Sequence, residues 1–279
     1  MEDMKTYRRC LSIAGSDPSG GAGIQADLKT FSALGCYGMT AIVAVVDENT
    51  AGVTGVHPVP VDFVTGQIRS CLDDIGADAI KIGMLHSAEL IRAVKDTLEG
   101  YGTRNTVLDP VMVATSGDPL LQADAVATLR DELIPSVRVI TPNIPEAELL
   151  LGRTLKSQED LPEAAKELSQ GGRVSVLLKA GHMHDDTVAD IFYNAEDGSL
   201  TVLESPRTAT RNTHGTGCTL SSAIASNLAK GFGLETAVQR AKDYIFGALS
   251  AQLDLGHGSG PMDHMWDLHS RFIDGEAGT

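Results

Sequence analysis

The chain has 279 residues, of which 42% are hydrophobic and 21% charged, a globular composition long enough for one large α/β core. A formal charge of -15 speaks against a nucleic-acid surface, because phosphate backbones are gripped by clustered Lys and Arg that this chain lacks. No apolar run reaches the roughly 18 residues of a membrane span, and "MEDMKTYRRCLSIAGSDPSGG" has no signal-peptide core, so the expected setting is cytoplasmic.

Short apolar runs alternate with longer segments of helical period, which predicts βαβ units and a mostly parallel sheet in a single domain over residues 1–279. The first strand, "CLSIAG", leads through a glycine-rich turn into a helix whose Ile24, Leu28, Phe31 and Leu34 share one face. "MTAIVAVV" reads as one strand covered on both faces. A helix over "FVTGQIRSCLDDI" follows, with Val64, Ile68, Leu72 and Ile75 as its stripe, and then the strands "AIKIGML" and "TVLDPVMV" with a helix between them. Beyond Asp109 the pattern predicts a helix over "ADAVATLRDEL", a strand "RVIT", a short helix opened by Pro145, a helix near 158–170 and a strand "VSVLLKAG". Asp197-Gly198 marks a small β-hairpin, and two helices at about 217–230 and 234–253 close a three-layer α/β/α arrangement.

The loops after these strands are "GSDPSGGAG", "DENTAG", "GMLHS", "DPVMVATSG", "TPNIPE" and "KAGHMHD", joined by "NTHGTGC" before the late helix. In a doubly wound sheet they converge on one crevice. They carry glycines, carboxylates, a lysine and a helix start, the inventory of phosphoryl transfer. Neither GxxxxGK[ST] nor GxGxxG occurs, which disfavours a Walker-type kinase and a dinucleotide dehydrogenase. Taken singly, Asp109 and Glu146 are also consistent with capping, Lys179 with a solvated strand end, and "GSDPSGGAG" with a plain turn. His182, His184 and His214 lack metal-ligand spacing and read as polar loop residues. The cysteines Cys10, Cys36, Cys71 and Cys218 form no C-x-x-C pair and read as reduced thiols. In "HGTGC", Gly215 and Gly217 allow close backbone approach to an anion at a helix N-terminus, more than an ordinary cap requires.

The runs "IAGSDPSGGAGIQADLKTFSALGCYGMT", "IKIGML", "VLDPVM", "SGDPLL", "ITPNIPEAELLLG", "NTHGTGCTLSSAIA" and "GHGSGP", in this order, resemble the hydroxymethylpyrimidine and phosphomethylpyrimidine kinases of thiamine biosynthesis, members of the ribokinase-like superfamily. The resemblance covers nearly the whole chain. It implies a homodimeric kinase that uses ATP and Mg²⁺ to phosphorylate 4-amino-5-hydroxymethyl-2-methylpyrimidine and then its monophosphate. On the same basis Gly15, Asp27, Glu48 and Val111 would hold the pyrimidine, and Asp109 and Glu146 would organise Mg²⁺. Asn143, in the NxxE motif with Glu146, and Lys179 would serve ATP. Gly215, Thr216 and Gly217 would form the anion hole, with Cys218 at its edge where many relatives carry an Asp base. A helix N-terminus can lower a thiol's pKa, so a Cys218 thiolate is chemically available. Glu48 departs from the pattern, which leads one to expect Gln. An amide both donates and accepts, whereas an ionised carboxylate only accepts. Pyridoxine and pyridoxal kinases of the same lineage are the alternative, and a non-catalytic pyrimidine binder is a further one.

Overall fold

The computed structural model describes residues 6–112, 121, 125–180 and 187–269. The first strand, β1 (Arg8–Ala14), passes through the glycine turn to α1 (Gly23–Ala33) and returns as β2 (Cys36–Ile42), parallel to β1. At Val43 the chain leaves the sheet, so "MTAIVAVV" is two strands rather than the predicted one. β3 (Ala44–Asn49) pairs instead with β4 (Gly52–Pro58) as a separate antiparallel hairpin turning through "DENTAG". The break is anchored on both sides, because Val43 N–H donates to Ala14 O while Val59 N–H donates to Val43 O, each at 3.0 Å. A register shift between Asp47 and Glu48 sets Glu48 at a bulge, a feature that re-aims side chains.

Then follow α2 (Val61–Asp74), β5 (Ala79–Ile82), α3 (Ala88–Tyr101) and β6 (Thr106–Leu108). The predicted "ADAVATLRDEL" helix is α-helical only as α4 (Ala125–Thr128). It widens to a π-turn over Leu129–Leu133 and tightens to a 3₁₀ turn over Ile134–Ser136, where Pro135 cannot donate an ordinary helical bond. β7 (Val139–Ile140), α5 (Ile144–Leu151), α6 (Leu161–Leu168), β8 (Ser175–Leu178), the hairpin β9 (Thr187–Asn194) and β10 (Ser199–Pro206), α7 (Thr216–Ala229) and α8 (Leu234–Ser250) complete the chain.

Eight strands form one sheet in the order β10-β9-β8-β7-β6-β5-β1-β2, with β8–β9 and β9–β10 as its antiparallel pairs. Successive side chains on a strand point to opposite faces, so each strand feeds two cores. Leu11, Ile13, Ile80, Ile82 and Leu108 join the core under α2 to α6. Cys10, Ala79 and Val107 join the core under α1, α7 and α8, which makes three layers. By the same alternation Ser12 and Lys81 face α1 and α7. Lys81 is a fully buried cation in the otherwise apolar strand AIKI. No helix among the described residues is long and apolar enough to cross a membrane.

Candidate active site

The turn after β1, Asp109 after β6 and Lys179 after β8 meet at the N-terminus of α7. Gly215 is its N-cap, at φ 78°, and no side chain caps the helix; Thr216 N–H donates to Thr213 O at 3.3 Å, and among the described residues the N–H groups of Gly217 and Cys218 are left open to an anion. A Cβ on Gly215 would overlap the carbonyl of Gly21, so only glycine fits there. Thr216 turns both its hydroxyl, at 2.7 Å, and its N–H, at 3.3 Å, back to Thr213 O, which pins the turn. Gly217 has a different reason to be glycine: a Cβ there would lie 2.9 Å from Asp109 Oδ2 and 3.2 Å from Lys179 Nζ. A carboxylate, an ammonium and a helix N-terminus thus meet at one point.

Asp109 follows β6 and is 2% exposed. Its Oδ1 accepts from Thr141 Oγ1 and Lys179 Nζ, both at 3.0 Å, while Oδ2 has no hydrogen-bond donor among the described residues. Burial pulls the Lys179 ammonium down, but Asp109 and Glu146 outweigh it and keep the lysine charged. Asn143 and Glu146 close a capping box on α5: Asn143 N–H donates to Glu146 Oε2 at 2.8 Å and Glu146 N–H to Asn143 Oδ1 at 2.9 Å. Asn143 is therefore engaged as a cap. Burial pushes the Glu146 carboxyl up to about 7, against the pull of Lys179. Hard cations take oxygen ligands, and the open Oδ2 of Asp109 fits a direct Mg²⁺ contact. Glu146, occupied by backbone donors, fits a contact through water.

Asp27 and Cys218 stand in settings that their neighbours in the sequence do not show. Asp27, expected beside the pyrimidine, is fully buried: Oδ2 accepts from Lys81 Nζ at 2.8 Å and Ser12 Oγ at 2.5 Å, and Oδ1 from Ser222 Oγ at 2.7 Å. Its oxygens are committed to this cluster and are not presented to the crevice. The Cys218 thiol, expected to be lowered by the helix start, is pushed up to about 11, chiefly by burial and then by Asp27 and Asp109. Lys81 and the Gly23 N–H pull the other way and lose, so the resting group is the neutral thiol.

The glycine-rich turn after β1 is wrapped around Asp17, which the sequence reading passed over. This carboxylate accepts from the N–H groups of Ser19, Gly21 and Ala22 at 2.7–3.0 Å and from His214 Nε2 at 2.8 Å. Those bonds outweigh its burial and hold it near 2. His214, expected as a polar loop residue, is 4% exposed and bridges toward Glu48 Oε1 at 3.7 Å. Asp17, Glu48 and His214 place ligand-type atoms within 4.8 Å of one another, yet Asp17 already has four donors, and the group reads as a clamp between loops. Burial and then the charge of Asp17 raise the Glu48 carboxyl. Gly15 directly follows β1, with Met84 Cε 2.9 Å from where a Cβ would stand, and Val111 lies half-buried after Asp109 with its N–H donating to Asp109 O. The tail glycines also join this clamp: Gly258 N–H donates to Thr50 Oγ1 on the β3–β4 turn, and His214 N–H to Gly260 O. His182, His184 and most of the "SGDPLL" run lie outside the described residues.

Sequence signals for the missed residues existed. A lysine inside an apolar inner strand demands a buried partner, and an aspartate two residues before a serine in a glycine turn is an Asx-turn former. A family model described as phosphomethylpyrimidine kinase matches residues 17–263. The chain is 49% identical over 257 residues to the hydroxymethylpyrimidine/phosphomethylpyrimidine kinase of Rhizobium meliloti, covering 91% of this chain and 96% of that one. To the enzyme of the same name from Escherichia coli it is 46% identical over 257 residues, covering 91% and 96%. The solved ADP complex of Bacillus subtilis pyridoxal kinase superposes with a TM-score of 0.85 at 39% identity, covering 93% of this chain and 98% of that one. The solved phosphomethylpyrimidine kinase of Clostridium difficile gives 0.76 at 41% identity, covering 86% and 98%. The fold is ribokinase-like, and the chain belongs to the phosphomethylpyrimidine kinase family of phosphotransferases.

Proposed function

We propose that the chain is an ATP-dependent kinase that phosphorylates 4-amino-5-hydroxymethyl-2-methylpyrimidine and then the resulting monophosphate, supplying the pyrimidine diphosphate for thiamine synthesis. The observation that carries the reading is the meeting of Asp109 Oδ2 and Lys179 Nζ at Gly217, on the open N-terminus of α7. Phosphoryl transfer asks a protein for position and charge rather than covalent chemistry, and this point supplies both. A pyrimidine binder has no use for such a cradle.

In this reading the N–H groups of Gly217 and Cys218, in the turn that Gly215 and Thr216 shape, face the transferring phosphoryl group, and Lys179 offsets its charge. Asp109, with Glu146 through water, would hold Mg²⁺, which when bound screens the phosphate oxygens. Gly15, Glu48 and Val111 border the pyrimidine, and Asp27 acts from behind through Lys81 and Ser222. With Cys218 a neutral thiol, the hydroxymethyl proton passes late, toward the phosphoryl oxygens, as a loose transition state permits. Burial and the charge of Asp17 raise the Glu48 carboxyl toward its acid form, which donates and accepts as an amide does.

Pyridoxal kinase activity is the second reading, favoured by the close superposition on the B. subtilis pyridoxal kinase. Measuring kcat/KM for the pyrimidine alcohol, its monophosphate and pyridoxal side by side separates the two. A higher value for pyridoxal than for either pyrimidine overturns the first reading. We also propose a cytoplasmic homodimer acting through one kinase domain, consistent with four free cysteines, and light scattering on the purified protein tests the dimer.

A further inference from the structure

Lys81 and Asp27 are each 0% exposed and meet at 2.8 Å inside the layer between the sheet and α7. Such a pair is a poor way to stabilise a core, because desolvating two charges offsets most of their attraction, and apolar replacements are often no less stable. Its presence therefore calls for another reason, and its position supplies one. Asp27 is held from three elements: Ser12 on β1, Lys81 on β5, and Ser222 on α7. Ser222 lies four residues after Cys218, on the same face of α7, so the cluster sits directly behind the turn that forms the anion hole. The ammonium is fixed as well as buried. Asp27 is its one hydrogen-bond acceptor among the described residues, and a Cβ on Gly83 would lie 2.9 Å from Nζ, so glycine there leaves room for the charge.

We propose that Lys81 is a positioning residue for phosphoryl transfer, supplying a fixed buried positive charge behind the first turn of α7, with Asp27 holding it in place. It touches neither substrate nor phosphate. It acts through the turn, complementing Lys179 on the open side. In support, Lys81 is the largest charge acting on Cys218 at the start of α7, ahead of Asp27. The inference rests on the kinase reading; inactivity of the unaltered protein would refute that reading, whereas the comparisons below refute only the role of Lys81.

The test compares Lys81→Met, Asp27→Asn and the double variant by thermal unfolding and by steady-state kinetics at saturating pyrimidine alcohol. Lys81→Met is expected to lower kcat about 10- to 100-fold, below the usual loss of a direct oxyanion donor, with KM for ATP within about threefold. Asp27→Asn, which keeps the cation, is expected to lose less kcat at similar cost in stability. The double variant should regain stability and keep the low kcat, because neutral partners no longer strand a buried charge. Recovery of kcat together with stability in the double variant would mean that the pair is a strut and nothing more. Gly83→Ala decides the matter if the substituted pairs do not fold: it keeps both charges and pushes the ammonium aside. A lowered kcat with unchanged KM for ATP supports the proposal, and full kcat overturns it.

Discussion

Replacing Gly217 by Ala separates the anion hole from the fold. Gly217 is the second residue of α7 and has no left-handed backbone requirement, so alanine is conformationally acceptable there. Alanine in a helix is favoured over glycine by up to about 1 kcal/mol, less in a first turn, so unfolding stability should hold or rise slightly. The new methyl, however, would stand 2.9 Å from Asp109 Oδ2 and 3.2 Å from Lys179 Nζ, where ordinary contact begins at 3.4 Å. Asp109 has little room to retreat, because Thr141 and Lys179 both hold its other oxygen at 3.0 Å. Relief therefore takes about 0.5 Å from the reacting groups, and since misplacement by about 1 Å can cost 10²-fold, kcat should fall about 10- to 100-fold. The assay is ATP consumption with the pyrimidine alcohol alongside thermal unfolding of the same preparation. Full kcat in a stable Gly217→Ala protein would show that phosphoryl transfer does not occur at this turn.

Cys218→Ala should reduce the first and second phosphorylations by similar, modest factors, because the resting thiol is neutral; a first step lost about 10²–10⁴-fold more than the second would identify a base. Glu48→Gln should retain or improve pyrimidine use and flatten its dependence on pH. In the unaltered protein, KM for the alcohol should fall as pH drops and the raised Glu48 carboxyl protonates, and a flat profile there would contradict the pose. Glu146 has a folded pKa of about 7 against an ordinary 4.5, so the folded state binds the extra proton and stability should decline as pH rises from 4.5 to 7. Glu146→Gln should remove that decline in melts without Mg²⁺, and an unchanged slope would assign it to other groups.

The layered fold was legible because its strands are short apolar runs between helical stripes, a pattern that inner parallel strands cannot avoid. The break at Val43 was not, since Ala41 to Val46 are all apolar and only pairing decides that β2 stays in the sheet while β3 leaves it. Within the site, Asp109, Lys179 and the glycine pair could be read from their places after strands and before a helix. The buried setting of Asp27 is not legible, because sequence gives no sign that Ser12, Lys81 and Ser222, far apart in the chain, converge on one carboxylate. Asp17 and His214 are 197 positions apart and meet only through the folded turn, so neither looked special alone. The thiol of Cys218 shows the limit of a local rule: the helix start favours a thiolate, and burial with two neighbouring carboxylates reverses it.

The central claim is most directly tested by phosphorus NMR of the purified protein with ATP, Mg²⁺ and 4-amino-5-hydroxymethyl-2-methylpyrimidine, followed over time. The account predicts a monophosphate signal that rises and is then consumed as the pyrimidine diphosphate and ADP accumulate. Binding of the alcohol without either phosphorylated product, or phosphorylation of pyridoxal alone, would contradict it.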